Sequence, residues 1–388
     1  MSESAPADPV VARGPLSGLK VIEFTHMVMG PAAGLVLADL GADVIKVEPA
    51  GGDATRDLPG SGAGYFVMYN RNKRSIRLDM KSPQGLETAR QLCAGADVVI
   101  ENFRPGALDR LGLSYEALSA LNPGLIYCSE KGFLPGPYDH RTALDEVAQM
   151  MGGLAYMTGP VGRPLRAGAS VIDVTGGMFG AIGILAALEE RRRTGRGQLV
   201  RSSLYETTAF LVGQHMAQKA VTGKAAMPMP ARISAWSIYD VFQTADDQGV
   251  FVGVVTDKLW VTFCDLFGLT ELGAAEAYRT NTARVAARDQ ILPVVREALA
   301  RFTRDELIAR LDGTGLPFAP ICRPEDLFDD PHLRAGGLVE VTMPDGQTTW
   351  LPTLPLEMDG RRFNAAARAP VSGEHADDIL AELATAWT

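Results

Sequence analysis

The sequence predicts an α/β protein whose larger part is a doubly wound parallel sheet, and three observations carry this prediction. The apolar run LKVIEF at residues 19–24 is typical of a buried strand. A helix follows, with Pro31 in its first turn and Gly41 after its end. A second apolar strand, DVIKVE, then occupies residues 43–48. Strand, helix and strand at this spacing form a βαβ unit, in which the two strands are parallel.

The same alternation continues through the first half of the chain. We expect a helix at 85–94, a strand at 97–101, a short helix at 116–120 and a strand at 125–129. A long helix is expected at 173–192, because its apolar stretch ends in RRRTGRGQ, with the basic residues and glycine of a helix C-terminus.

The second half indicates a smaller domain of a different class. A hairpin is predicted at 238–255 with its turn at 246–249, followed by amphipathic helices at 257–267, 289–302 and 304–311. A last hairpin turns at 344–346. We therefore expect a disordered tail (1–14), a large domain (15–218), a linker (219–232), a small α+β domain (233–330) and a C-terminal segment that returns to the large domain (331–388).

Composition excludes several classes of function. The 388 residues carry a formal net charge of −9, which disfavours a nucleic-acid partner. The four cysteines are far apart and no histidines have H-x-x-x-H spacing, so neither a metal site nor a disulfide framework is expected. The N-terminus has no apolar h-region and no apolar run is judged long enough to span a bilayer. We expect a cytoplasmic protein with no membrane partner and no permanently bound cofactor.

The loop after the first strand disfavours a dinucleotide-binding protein. Glu48 ends the second strand, as the ribose-binding acid of such a protein does, but the loop reads THMVMGP and lacks G-x-G-x-x-G. His26 in this loop, and Asn102 and Phe103 after a later strand, are expected at the carboxyl ends of strands, where α/β sheets bind ligands.

Asp173 is the strongest candidate for chemistry, and the residues alone leave two interpretations open. Its place before an apolar helix predicts an N-cap, whose carboxylate accepts hydrogen bonds from unpaired amides. A carboxylate at a helix N-terminus also stays ionised, as a nucleophile must. Gly176, Gly180 and Gly183 recur at helical spacing, which indicates either close helix packing or room for a ligand.

The basic residues are clustered and are equally open to two interpretations. They either line a pocket for a phosphorylated ligand or form a solvated surface. They are Arg71, Lys73, Arg74, Arg77, Lys81, Arg104 and Arg110.

Several stretches in a fixed order resemble class III CoA-transferases, the family of carnitine, bile-acid and formyl-CoA transferases. They include LSGLKVIEFTHMVMGPAAGLVLADLGADVIKVE, NRNKRSIRLDMKSPQG, ENFRPGALDRLG, LDEVAQMMGGLAYMTG and DVTGGMFGAIGILAALEERRRTGRGQ. The resemblance implies a Rossmann-like large domain, a small domain and an interlocked homodimer. It also implies ping-pong transfer of CoA between carboxylic acids through a covalent intermediate on Asp173.

The resemblance also assigns roles to individual residues. Asp145 matches a supporting acid that faces the reacting centre. The CoA contacts carry over to His26, Val28, Leu78, Met80, Lys81, Asn102, Phe103, Arg104, Arg110 and Arg141. Pro49 replaces a basic residue of formyl-CoA transferase, and that enzyme's glycine-rich closing loop has no counterpart, so its substrates are not carried over.

The main alternative is α-methylacyl-CoA racemase, which resembles this chain in CoA binding and in the acid at Asp173. That chemistry needs a second base, usually a histidine directly before the acid that matches Asp145, and this position is Leu144. A non-catalytic CoA-binding protein is disfavoured by the presence of the nucleophile. For the transferase we expect a dicarboxylate pair with succinyl-CoA as donor, in which Arg232 or His215 pairs with the second carboxylate.

Overall fold

The computed structural model describes residues 14–232, 234–363, 365 and 367–385, and the chain forms two compact units. The first unit contains Met1–Ala231 and Pro331–Thr388, and the second contains Arg232–Asp330. Nearly all of the predicted tail, together with residues 233, 364, 366 and 386–388, lies outside the described residues.

Six described strands of the first unit form one parallel sheet in the order β3-β2-β1-β4-β5-β6. The chain runs outward from β1 to β3 and then returns to β4 beside β1, so the sheet reverses its direction of growth between β1 and β4. Ligands of such sheets bind at the carboxyl ends of these two strands. The strands are β1 (Lys20–Phe24), β2 (Asp43–Pro49), β3 (Arg74–Leu78), β4 (Val98–Glu101), β5 (Ile126–Lys131) and β6 (Leu199–Ser203).

Helices connect these strands and continue beyond the sheet. They are α1 (Met29–Asp39), α2 (Tyr65–Asn70), α3 (Pro83–Ala94), α4 (Tyr115–Leu121), α5 (Asp145–Met151), α6 (Leu154–Thr158), α7 (Val171–Thr194) and α8 (Leu204–Thr222).

The second unit has its own antiparallel sheet, in the order β7-β8-β9, and its own apolar core around Trp260 and Phe263. Its elements are β7 (Tyr239–Gln243), β8 (Gly249–Gly253), α9 (Asp257–Leu266), α10 (Thr270–Ala274), α11 (Asn281–Ala286), α12 (Arg288–Leu299), α13 (Arg304–Leu311) and β9 (Phe318–Pro320).

The C-terminal segment belongs to the first unit. Arg74 in β3 pairs with Glu382 at 2.7 Å, and the Ser75 amide donates to Nδ1 of His375 at 3.1 Å. The elements of this segment are α14 (Pro331–Arg334), β10 (Leu338–Thr342), β11 (Thr348–Pro352), β12 (Glu357–Met358), β13 (Arg361–Arg362), β14 (Ala367–Arg368) and α15 (Ala376–Thr385).

Both faces of the large sheet are covered, which explains why its central strands are apolar throughout. Alternate residues point to opposite faces, so Ile22 packs with α3, α4 and α15, whereas Val21 packs with α1 and α7. Glu23 in β1 is a buried exception that bears on the site below.

The parallel sheet and both predicted hairpins are confirmed. The four strands predicted in the first half are present, with ends that differ by at most two residues. The outer strands β3 (RSIRL) and β6 (LVRSS) were not predicted, because polar residues interrupt their apolar pattern. Helix α8 was not predicted either; it continues through Thr222, so the first residues of the predicted linker are helical.

The glycines of α7 serve close packing, which decides between the two interpretations of their spacing. A Cβ at Gly177 would lie 2.4 Å from the backbone oxygen of Met29 in α1. A Cβ at Gly180 would lie 2.1 Å from Oε1 of Glu130 in β5, and one at Gly183 would lie 2.6 Å from Val200. Larger residues at these positions would force α7 away from α1 and the sheet.

The same helix corrects the expectation that no segment is long enough to span a bilayer. By length and composition alone, α7 would be able to cross a membrane. However, its glycine face is buried against α1, β5 and β6, as is usual for a core helix of an α/β unit.

Candidate active site

The loop between β1 and α1 lies at the carboxyl end of the sheet and is held in place from both sides. The Asn102 side chain accepts from the His26 amide at 3.0 Å and donates to the His26 carbonyl at 2.9 Å. The His26 ring stacks on Phe103 with centroids 5.4 Å apart. The structure thus brings together three predicted contact residues across the point where the sheet changes direction.

Two buried ammonium groups brace the ends of this loop. Lys46 donates to the carbonyl of Thr25 at 2.8 Å, and Lys73 donates to the carbonyl of Pro31 at 2.9 Å. Both pair with the buried carboxylate of Glu23, Lys73 at 2.9 Å and Lys46 at 3.7 Å. Buried charged groups that water does not solvate need ion-pair or hydrogen-bond partners at contact distance. The network of Lys46, Lys73 and Glu23 therefore fixes the loop before any ligand binds.

Desolvation lowers the pKa of His26 below its usual value. The Asp53 carboxylate opposes this shift, and the Lys46 ammonium reinforces it. The imidazole is therefore neutral at pH 7 and offers a hydrogen-bonding group rather than a charge.

An apolar cavity of about 240 Å³ opens at the carboxyl ends of β1, β2 and β3. Its walls include four predicted CoA contacts, which are Leu78, Met80, Lys81 and Phe103. An apolar cleft with one lysine in its wall suits a flat heteroaromatic group that carries phosphates.

The predicted arginine contacts differ in their relation to this cavity. Arg104 and Arg110 are exposed on the segment that also supplies the cavity residues Ala107 and Leu111. Arg141 does not line the cavity, and its guanidinium lies 4.3 Å above the ring of Tyr138.

The basic cluster around residue 73 serves the fold rather than a phosphate. Arg71 is buried and pairs with Asp39 at 2.7 Å, Lys73 pairs with Glu23, and Arg74 pairs with Asp43 at 2.6 Å. Neither interpretation of these three residues, a ligand pocket or a solvated face, matches the structure.

Glu48 is occupied as well. Its carboxylate accepts from Ser75 at 2.7 Å, from Ser372 at 2.8 Å and from Arg56 at 3.0 Å. A ribose-binding role for this residue, as in a dehydrogenase, would have to displace these three bonds.

Asp173 is the third residue of α7, not its N-cap, because the helix begins at Val171 and Ser170 occupies the cap position. The Ser170 side chain makes no capping bond. Instead, Oδ2 of the buried Asp145 accepts from the Ile172 amide at 2.8 Å and from the Asp173 amide at 3.2 Å. The capping interpretation therefore applies to Asp145, and the half-buried side chain of Asp173 is left for other contacts.

The environment of Asp173 differs from the expectation that the helix N-terminus keeps it fully ionised. Burial raises the pKa of Asp173 to about 7, and the charge of Asp145 adds to the rise, while Arg166 opposes it. Asp173 in turn raises the pKa of Tyr69 on α2, after the larger effect of burial. Near pH 7 the carboxylate exists in both protonation states, and its anion is poorly solvated and correspondingly reactive.

Sequence reasoning missed two polar residues beside Asp145 and a third beside Ser170, the cap residue of α7. Gln149 donates to Asp145 at 2.6 Å, Arg166 lies 3.3 Å from it, and Tyr65 lies 3.3 Å from Ser170. The i, i+4 spacing of Asp145 and Gln149 on a helix is a signal that could have identified the first, but Arg166 lies in an irregular segment without one.

The remaining predicted residues are not brought to Asp173 by any contact described above. Val28 is 1% exposed, so its side chain packs inside the fold rather than lining an open entrance. His215 on α8 lies beside Gln214, with 3.2 Å between their Nε2 atoms, and Arg232 belongs to the second unit.

Within residues 14–232, 234–363, 365 and 367–385, no group of three or more His, Cys, Asp or Glu side chains could hold a metal ion.

Comparisons with known proteins identify the family of the chain. Residues 16–376 match the sequence profile of CoA-transferase family III. The chain is 36% identical to a succinate–glutarate CoA-transferase of Agrobacterium fabrum, over 96% of each protein. It is 34% identical to a formyl-CoA:oxalate CoA-transferase of Rhodopseudomonas palustris, over 95% of this chain and 93% of that one.

A crystal structure of a CAIB/BAIF family protein from Brucella suis has the same fold. It aligns with a TM-score of 0.85 and 37% identity, over 96% of this chain and all of the other. The chain therefore belongs to CoA-transferase family III and is a CoA-transferase.

Proposed function

We propose that this enzyme transfers CoA from succinyl-CoA to a carboxylic acid through a covalent intermediate on Asp173. The observation that carries the proposal is the state of Asp173, a half-buried carboxylate with a pKa of about 7 on the first turn of α7. Asp145 holds the backbone of that turn and the α7 glycines fix the helix against α1, so the nucleophile is preorganised.

The exchange proceeds in balanced steps. The Asp173 anion attacks the thioester carbonyl, and the C–S bond breaks. CoA leaves as a thiolate, and Asp173 remains joined to the donor acid in a mixed anhydride. The thiolate attacks the aspartyl carbonyl of this anhydride, which releases the donor acid as carboxylate and leaves an aspartyl-CoA thioester. The acceptor carboxylate then repeats these steps in reverse, and the aspartate is regenerated. Covalent catalysis replaces one difficult exchange with easier ones.

The amides of Ile172 and Asp173 do not serve as the oxyanion donors in this scheme, because Asp145 already accepts from both. Each tetrahedral oxyanion needs donors elsewhere in the loops around Asp173.

The names of several relatives support succinyl-CoA as donor and a second dicarboxylic acid as acceptor. Succinate or succinyl-CoA occurs in the names of relatives from Agrobacterium fabrum, Chloroflexus aurantiacus and mouse, with glutarate or L-malate as the second acid. We infer a dicarboxylate pair here too.

The assay is a panel of CoA donors and acids, with the new thioester measured by chromatography. Succinyl-CoA with glutarate or L-malate is expected to give the highest kcat/KM, and Asp173→Asn is expected to abolish transfer. Turnover confined to monocarboxylates would refute the substrate assignment. Full activity of Asp173→Asn would refute the mechanism.

The racemase alternative lacks a residue that it needs. Leu144 stands where the second base is expected, and its side chain is 62% exposed and cannot accept a proton.

We further propose that a second copy of this chain covers an apolar surface on α5 to α8. This surface exposes large apolar side chains on four successive helices, including Met150, Tyr156, Phe179, Phe210 and Met216. Exposure of so many apolar groups is costly in a monomer, and the resemblance implies an interlocked homodimer. Light scattering should give twice the chain mass, and Phe210→Glu should lower it; a monomeric wild-type protein would refute the proposal.

A further inference from the structure

The first turn of α7 is held by side chains from outside the helix. Asp145 on α5 accepts from two of its amides, as described above. Gln149, one turn later on α5 and fully buried, donates to Oδ1 of Asp145 at 2.6 Å and accepts from the Ala167 amide at 2.8 Å. The segment before α7 is thus tied to the same carboxylate that caps the helix.

Arg166 completes this arrangement from the other side of the carboxylate. Its Nη2 lies 3.3 Å from Oδ1 of Asp145 and donates to the carbonyl of Ala169 at 3.2 Å. Its Nε donates to the carbonyl of Ala167 at 3.2 Å. The half-buried guanidinium therefore connects the backbone before α7 with the carboxylate that holds the amide of Asp173.

The charged groups near the Arg166 guanidinium and the Asp173 carboxylate show why this guanidinium matters for the protonation state of Asp173. Asp145 and Glu146 face it from α5, with Glu146 3.9 Å away. Asp173 lies on α7, Glu130 on β5, and Tyr65 and Tyr69 on α2. Arg166 pairs with Asp145 and Glu146, and its charge favours the Asp173 anion where burial and Asp145 oppose it.

We propose that Arg166 is a positioning residue of the transfer reaction, which holds Asp145 against the first turn of α7 and favours the anionic, nucleophilic form of Asp173. This inference rests on the proposed role of Asp173. It assigns Arg166 no contact with either substrate.

The test compares pH profiles of kcat/KM for wild type, Arg166→Gln and Arg166→Lys. Glutamine keeps a hydrogen-bond donor but removes the charge, so its acid limb should move to higher pH, with about tenfold lower kcat/KM at pH 6 for a shift of one unit. Activity should recover towards wild type at pH 9. Lysine keeps the charge, so its limb should stay near that of wild type.

A matched control is Arg163→Gln, since Arg163 is exposed on the same segment and should leave the profile unchanged. An Arg166→Gln profile that superimposes on wild type, or is lowered equally at every pH, would overturn the inference. If Arg166→Gln does not fold, Arg166→Met is tested in the same way, and an unfolded Arg166→Met together with a displaced limb in Arg166→Lys would overturn it too. A wild-type protein without transfer activity would instead refute the proposed function.

Discussion

Replacing Gly177 by alanine tests whether the packing of α7 on α1 positions the nucleophile. The new Cβ would lie 2.4 Å from the Met29 backbone oxygen and 3.0 Å from both Ala32 Cβ and Ala33 N. Backbone cannot rotate away as a side chain can, so the overpacking cost is taken at its upper end, about 3 kcal/mol. The higher helix propensity of alanine offsets about 1 kcal/mol, which leaves a net loss of about 2 kcal/mol.

Calorimetry and kinetics measure both consequences of this substitution. The Tm of Gly177→Ala should fall by about 4 °C, at roughly 2 °C per kcal/mol for a unit of this size. Gly177 lies about one turn after Asp173, so kcat/KM should fall at least tenfold as α7 is displaced from the loop that contains His26. The control is Gly64→Ala, where the backbone is helical and no atom lies within 4 Å of a new Cβ. An unchanged Tm and kcat/KM for Gly177→Ala would refute the reasoning.

Three further predictions concern buried charges. The kcat/KM of the wild-type enzyme should rise with pH through about 7, since the Asp173 anion is the nucleophile and its pKa is about 7; a flat profile between pH 5.5 and 8.5 would contradict this. Glu130 is fully buried without a hydrogen-bond partner among the described residues, and burial raises its pKa well above the usual value. Glu130 therefore loses its proton at a lower pH in the unfolded chain than in the folded chain. The free energy of unfolding falls as pH rises above the usual pKa of glutamate, and Glu130→Met should raise the Tm more at pH 8 than at pH 5. Lys73→Met removes the ammonium that contacts both Glu23 oxygens and should lower the free energy of unfolding by about 3–5 kcal/mol in urea denaturation, whereas the exposed Lys258→Met should change it by less than about 0.5 kcal/mol.

The elements that could be predicted from sequence are those with an uninterrupted apolar pattern. The strands β1, β2, β4 and β5 are buried on both faces, so apolar runs identify them, whereas β3 and β6 carry polar residues at the edges of the sheet. The order of the strands is not written in any local pattern. It follows from the crossing connections that only the folded unit shows.

The candidate site could be predicted in its residue types but not in its contacts. The position of Asp173 near a helix N-terminus could be predicted because the signal is local. The helix begins at Val171, two residues before its predicted start. The capping of that helix by Asp145, 28 residues earlier in the chain, and the burial that raises the pKa of Asp173 depend on tertiary packing. Lys73 was taken for a ligand-binding or surface residue for the same reason, because its partner, Glu23, lies 50 residues away in the chain.

The proposed mechanism requires Asp173 to form a covalent bond with acyl-CoA. The direct measurement is intact-protein mass spectrometry after brief mixing with succinyl-CoA, followed by peptide mapping, with Asp173→Asn as control. We predict an adduct of CoA or succinyl mass on the peptide that contains Asp173, and none in the variant. An adduct that persists in Asp173→Asn would contradict the account, as would exchange of substrate α-hydrogen with heavy water in the absence of any adduct.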